Sequence, residues 1–129
     1  MSRYRTPLSR ARGLGAAGHG AGHWISERLS AIALVPLVLW VVYATLKIAT
    51  LGYEGAVAFV GQPLNAVLLV LLIATGFWHM HAGMRVIIED YLETMGLRLT
   101  ALVANLFVAV LAGGLAVFSI LKIAFGGAL

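Results

Sequence analysis

Two histidines, an arginine, three carboxylates and a tyrosine lie within the sixteen residues Trp78–Glu93, "WHMHAGMRVIIEDYLE". This stretch closes an apolar run that begins near Leu64. On a helix that turns about 100° per residue, His79 shares an arc of about 80° with Gly76, Gly83, Val86 and Asp90. An imidazole with glycine one turn to either side can accept a flat, bulky cofactor, and neutral imidazole is a common axial ligand of haem iron. The same face also fits a simpler role, in which His79 hydrogen-bonds a neighbouring helix. Spacing alone leaves both readings open. Tyr91 stands about 120° round the helix and about 18 Å along its axis from His79. Beside Asp90, its hydroxyl could donate to a lipid-soluble carbonyl compound, or it could be an ordinary interfacial aromatic.

His81 falls about 200° from His79, with Arg85 and Glu89 following at i+4 and i+8. That stripe reads as packing and pairing: Arg85 can bridge Glu89, and His81 can face a partner or the headgroups. A proton relay is the functional rival for these three residues.

Elements that hold such residues in an apolar setting follow from composition. The chain has 129 residues, of which 61% are hydrophobic and 11% charged, with a mean hydropathy of +0.97. Soluble domains carry about 25% charged residues, so the bilayer is the natural solvent for this chain. It has no cysteine, which excludes disulfides and thiolate-bound clusters within it. The stretches 29–46, 63–84 and 99–121 each reach the roughly 18–20 residues a span demands. Backbone inside lipid must satisfy its own hydrogen bonds, so these stretches are expected to be helices, about 27–49, 63–94 and 99–123. The expected organisation is a basic, glycine-rich arm over residues 1–26 and an all-α membrane domain of three transmembrane helices over 27–129. Pro36 is expected to kink or loosen the first helix. Met95-Gly96 is expected to stop the second. Gly113-Gly114 offers a flat packing surface in the third, where Asn105 requires a partner across an interface.

Arg3, Arg5, Arg10, Arg12 and Arg28 precede or open the first span, whereas the loop 50–62 has no Lys or Arg. The positive-inside rule then puts the N-terminus and the 89–98 connection in the cytoplasm and the C-terminus outside, with Lys47 and Lys122 opposing. The first apolar run exceeds a signal-peptide core, so it reads as a retained anchor. The Arg-rich leader also has some character of an organelle transit sequence. Residues 13–18, "GLGAAG", spell G-x-G-x-x-G, but no strand precedes them and a membrane span follows, so nucleotide binding is set aside. The net charge of +4 argues membrane topology rather than nucleic acid.

The pattern H-x-x-x-G-M-x-x-x-x-x-D-Y, His79 to Tyr91, resembles the second helix of the small hydrophobic membrane anchors of succinate dehydrogenase, respiratory complex II. The stretch "GLGAAGHGAGHWISERLSAIALVPL", residues 13–37, is similar to the N-terminal arm and first helix of that family. The resemblance covers residues 13 to about 98. It implies a heterodimeric, haem-binding membrane anchor, in which a second anchor subunit (the cytochrome b subunit) shares haem b. It also implies an iron–sulfur subunit and a flavoprotein subunit on the cytoplasmic or matrix face. By resemblance, His79 matches the haem ligand, Tyr91 and Asp90 the ubiquinone site, and Arg28 the arginine near the haem propionates and quinone. His23 is a weaker match to the cofactor region. His81 and Arg85 lie outside the pattern. The chain is then expected to belong to a succinate:quinone oxidoreductase without itself oxidising succinate. Its expected location is the bacterial inner membrane, or alternatively the mitochondrial one. A cofactor-free structural anchor and a small transporter or proton-conducting subunit are the alternatives, although the three spans show no repeat of the kind many transporters carry.

Overall fold

The computed structural model describes residues 6–13 and 20–126. Among them are five helices: α1 (Pro7–Ala11), α2 (Gly20–Ile48), α3 (Gly52–Gly61), α4 (Pro63–Tyr91) and α5 (Met95–Ala124). The described residues include no strand. Three helices are long and apolar enough to cross a membrane: Trp24–Ile48, Pro63–Tyr91 and Met95–Ala124, with mean hydropathies of 2.2, 1.7 and 2.3. At 1.5 Å per residue, α4 is about 43 Å long against a hydrocarbon layer of about 30 Å. Its ends therefore reach the headgroups, where charge is tolerated.

α4 is the middle of the bundle. It packs against α2 on one side and α5 on the other, while α2 and α5 do not touch among the described residues. The seams are built from small side chains. Ala44, Ala66, Ala82 and Ala109 are buried, and so is Gly113. Small residues let helix backbones approach closely where lipid offers no hydrophobic drive to associate. A Cβ on Gly113 would lie 3.1 Å from Cγ of Phe77, so the Phe77 ring sits directly on that glycine. Gly114 has open space, so only the first glycine of the pair makes the close approach. Large apolar side chains such as Leu29, Ile32, Leu39, Leu46, Leu64 and Leu115 are exposed. Within the chain only 11% of each span's most apolar window is buried, which leaves most of its greasy surface to lipid or to another subunit.

The ends of the helices differ from the sequence expectation. α2 begins at Gly20 rather than near 27, because Glu27 and Arg28 add charge without breaking backbone hydrogen bonds. It runs unbroken through Pro36. The loop after it holds a ten-residue helix, α3, entered through Gly52 at φ +66. Gln62 is extended, and Pro63 opens α4 at a position where a missing N–H costs nothing. Buried Asn65 donates from Nδ2 to the Phe59 carbonyl at 2.8 Å and to Gln62 Oε1 at 3.3 Å, closing the end of α3. Met95-Gly96 opens α5 instead of stopping α4. α4 ends at the extended Leu92, and the Thr94 carbonyl accepts from Arg98 N to start the next helix.

Candidate functional site

The two histidines of α4 meet different flanking helices. On the α2 side, Nδ1 of His79 lies 3.0 Å from Oγ of Ser30. One residue earlier, Trp78 donates from Nε1 to Ser26 Oγ at 3.2 Å. Two successive α4 side chains thus tie to two serines one turn apart on α2, which fixes the axial register of these helices. On the α5 side, Asn105 donates from Nδ2 to the backbone carbonyl of His81 at 3.0 Å, and the same nitrogen is 3.0 Å from His81 Nδ1. A carbonyl can only accept, so the amide NH2 must face His81, and its second hydrogen points to Nδ1. His81 Nδ1 therefore accepts, and its proton is on Nε2. Asn105 has found the partner it required.

His79 lines an apolar groove of about 400 Å³ walled by Ala31, Leu34, Val35, Val38 and Leu39 of α2. Gly76 and Gly83, one turn to either side, have nothing within 4 Å of where a Cβ would stand. A flat group can approach α4 there without meeting a side chain of this chain. His81 instead borders a groove of about 340 Å³ with Phe77, Trp78, Ala109 and Gly113. Its ring centroid is 6.3 Å from that of Trp78.

Asp90 and Tyr91 are exposed at the last turn of α4, with Tyr91 80% accessible. Arg28 is exposed, with its guanidinium carbon 5.4 Å from the centre of the Trp24 ring. It is about 160° round α2 from Ser30, so within this chain it does not face His79. α2 and α4 run antiparallel. Arg28, about 3 Å along α2 from Ser30, therefore lies near the level of His79, whereas Asp90 and Tyr91 lie more than ten residues further along α4, and nothing links them directly. The His23 side chain and residues 14–18 of "GLGAAG" lie outside the described residues. Arg85 donates from Nε to Glu89 at 2.7 Å in an exposed i, i+4 bridge. Among the described residues, no group of three or more His, Asp or Glu converges as a metal site would require. Ser30 and Ser26 are the site residues that the sequence did not single out. They stand one turn apart, and either could have faced α4.

A three-span helical membrane subunit, with a histidine beside an open apolar groove and large uncovered apolar faces, is the class defined by this geometry. The chain belongs to the succinate dehydrogenase/fumarate reductase transmembrane subunit family, which it matches over residues 2–115. It is 33% identical over 101 residues to the succinate dehydrogenase hydrophobic membrane anchor subunit of Rickettsia bellii, covering 78% of this chain and 81% of that one. It is 33% identical over 91 residues to the subunit of the same name from Paracoccus denitrificans, covering 70% of each. A membrane anchor subunit from Reclinomonas americana is 29% identical over 77 residues, covering 57% of this chain and 64% of that one. No solved structure matches the chain significantly.

Proposed function

We propose that this chain is the hydrophobic membrane anchor subunit of a succinate:quinone oxidoreductase and contributes His79 to a haem b and Asp90 and Tyr91 to a ubiquinone site. The observation that carries this reading is the His79 face: the imidazole lines an apolar groove against α2, and the glycines one turn to either side have open space where a Cβ would stand. The donor chemistry fits: one neutral imidazole, no competing side chain at Gly76 or Gly83, and apolar walls that keep water off a macrocycle. When bound, haem supplies a one-electron store beside the quinone path.

This chain's own residues have simpler tasks. His79 would hold the iron from this chain, and the exposed apolar faces would take a second anchor subunit. Arg28 would supply a cation to propionate carboxylates or a quinone headgroup. The Tyr91 hydroxyl donates to a quinone carbonyl, and Asp90 beside it passes protons from the aqueous side. Electrons arrive from an iron–sulfur subunit bound at the Tyr91 end of α4, and a flavoprotein subunit oxidises succinate. The basic leader puts this end on the cytoplasmic side of an inner membrane.

The test is His79→Ala against His81→Ala in the assembled complex. Loss of the b-type spectrum in His79→Ala, with retention in His81→Ala, is expected, and the reverse result refutes the assignment. Tyr91→Phe is expected to impair quinone reduction while succinate-to-dye activity persists. Unchanged quinone kinetics remove Tyr91 from the site.

A further inference from the structure

Ser30 is 7% exposed and lies in the α2–α4 seam. Its Oγ makes two contacts, donating to the Glu27 carbonyl at 2.9 Å and lying 3.0 Å from Nδ1 of His79. A hydroxyl has a single hydrogen. The Glu27 carbonyl can only accept, and with that hydrogen given to it Ser30 meets His79 as an acceptor. Nδ1 must then carry the imidazole proton, which leaves the lone pair on Nε2. The neighbouring histidine is wired in the opposite sense, because the amide of Asn105 donates into Nδ1 of His81 and fixes its proton on Nε2. Two imidazoles two residues apart thus hold opposite tautomers, each set by a polar side chain from a different flanking helix. His79 offers a lone pair at Nε2, and His81 offers a donor there.

We infer that Ser30 is a positioning residue that fixes the His79 tautomer and ring orientation and tunes the electron density of a metal-bound Nε2. The inference rests on the reading of His79 as the haem ligand. A partner accepting from Nδ1–H makes a ligating imidazole more basic and so favours the oxidised metal. Donation to Glu27 polarises the serine oxygen and strengthens it as that acceptor. Removing the acceptor therefore raises the reduction potential of the haem. One net hydrogen bond changes an equilibrium by up to about fivefold, equivalent to about 40 mV for one electron.

The experiment uses the assembled complex in its membrane, with Ser30→Ala, Ser30→Thr and His79→Ala, and reads haem content and midpoint potential by optical redox titration. Threonine keeps the hydroxyl and can make the same bond back along α2. The expected result is an upward shift in Ser30→Ala and a near-native potential in Ser30→Thr. Loss of haem in Ser30→Ala that Ser30→Thr restores also supports the proposal. A native potential in Ser30→Ala overturns it, and so does loss of haem in both serine variants, which would make the position one of packing alone. If His79→Ala keeps its haem, the ligand reading itself fails, whatever the serine variants do.

Discussion

The His81–Asn105 pair makes a quantitative prediction, because one of its two bonds goes to a side chain and the other to the backbone. Asn105→Leu keeps the residue's approximate volume and removes both bonds. Hydrogen bonds between helices in a bilayer average about 0.6 kcal/mol and reach about 1.7. The expected cost is therefore about 1.2 kcal/mol, with an upper bound of about 3.4. His81→Leu removes only the Nδ1 bond, since the His81 carbonyl remains in place for Asn105. Its hydrogen-bond cost is about half as large, apart from changes in ring packing against Trp78. A double-mutant cycle separates these contributions, and its coupling term should report the Nδ1 bond alone, about 0.6 kcal/mol. The readout is the midpoint of SDS-driven dissociation of the purified complex, with the haem spectrum recorded alongside. A coupling indistinguishable from zero would refute the bond to His81 Nδ1 and the tautomer drawn from it, and a haem spectrum lost in His81→Leu would count against His79 as the ligand.

Gly76→Ala and Gly83→Ala place a methyl where this chain has nothing within 4 Å. The isolated fold should gain up to about 1 kcal/mol of helix propensity. Lost haem or failed subunit assembly would then expose what covers the face, and unchanged haem and assembly would show that nothing presses there. Gly113→Leu should loosen the α4–α5 seam, because even a Cβ stands 3.1 Å from Phe77. Lower detergent stability is expected, by about 1–3 kcal/mol. Arg85→Gln and Glu89→Gln break an exposed bridge worth about 0.3–0.5 kcal/mol. Quinone reduction and the haem spectrum should survive both, and a loss of proton-coupled turnover in either would revive the proton-conducting alternative.

Much of this arrangement was legible in the sequence, because bilayer thickness and helical geometry are strict. Three uncharged apolar stretches could only be spans. The 100° step put His79 and His81 on opposed sides of one helix, and the structure gives each its own neighbour, Ser30 on α2 and Asn105 on α5. What stayed hidden depends on register between helices. Ser26 and Ser30 are equivalent on the α2 wheel, and only the axial offset of α2 against α4 assigns Trp78 to one and His79 to the other. The helix limits were misread for a related reason. Charge at Glu27 marks where lipid ends, but a helix ends where its hydrogen bonds fail, and nothing in "GAGHWIS" breaks them. α3 escaped notice because an apolar ten-residue loop shows no period long enough to separate helix from coil.

The position of α4 also accounts for the crowding of ionisable groups on it. Among the described residues α2 and α5 do not touch, so α4 carries a seam to each of them. Lipid tolerates no unsatisfied polar group, and each seam admits only groups that can be paired across it. The pairings absorb His81 through Asn105, Trp78 through Ser26, and Arg85 with Glu89. Among the ionisable side chains of α4 they leave His79 beside its groove, and Asp90 and Tyr91 at the exposed final turn. Those groups are separated by about 18 Å along one helix. That separation spans the distance from the membrane interior to the interface, so a buried redox group and an interfacial substrate can be served by the same element without either site requiring the other's residues.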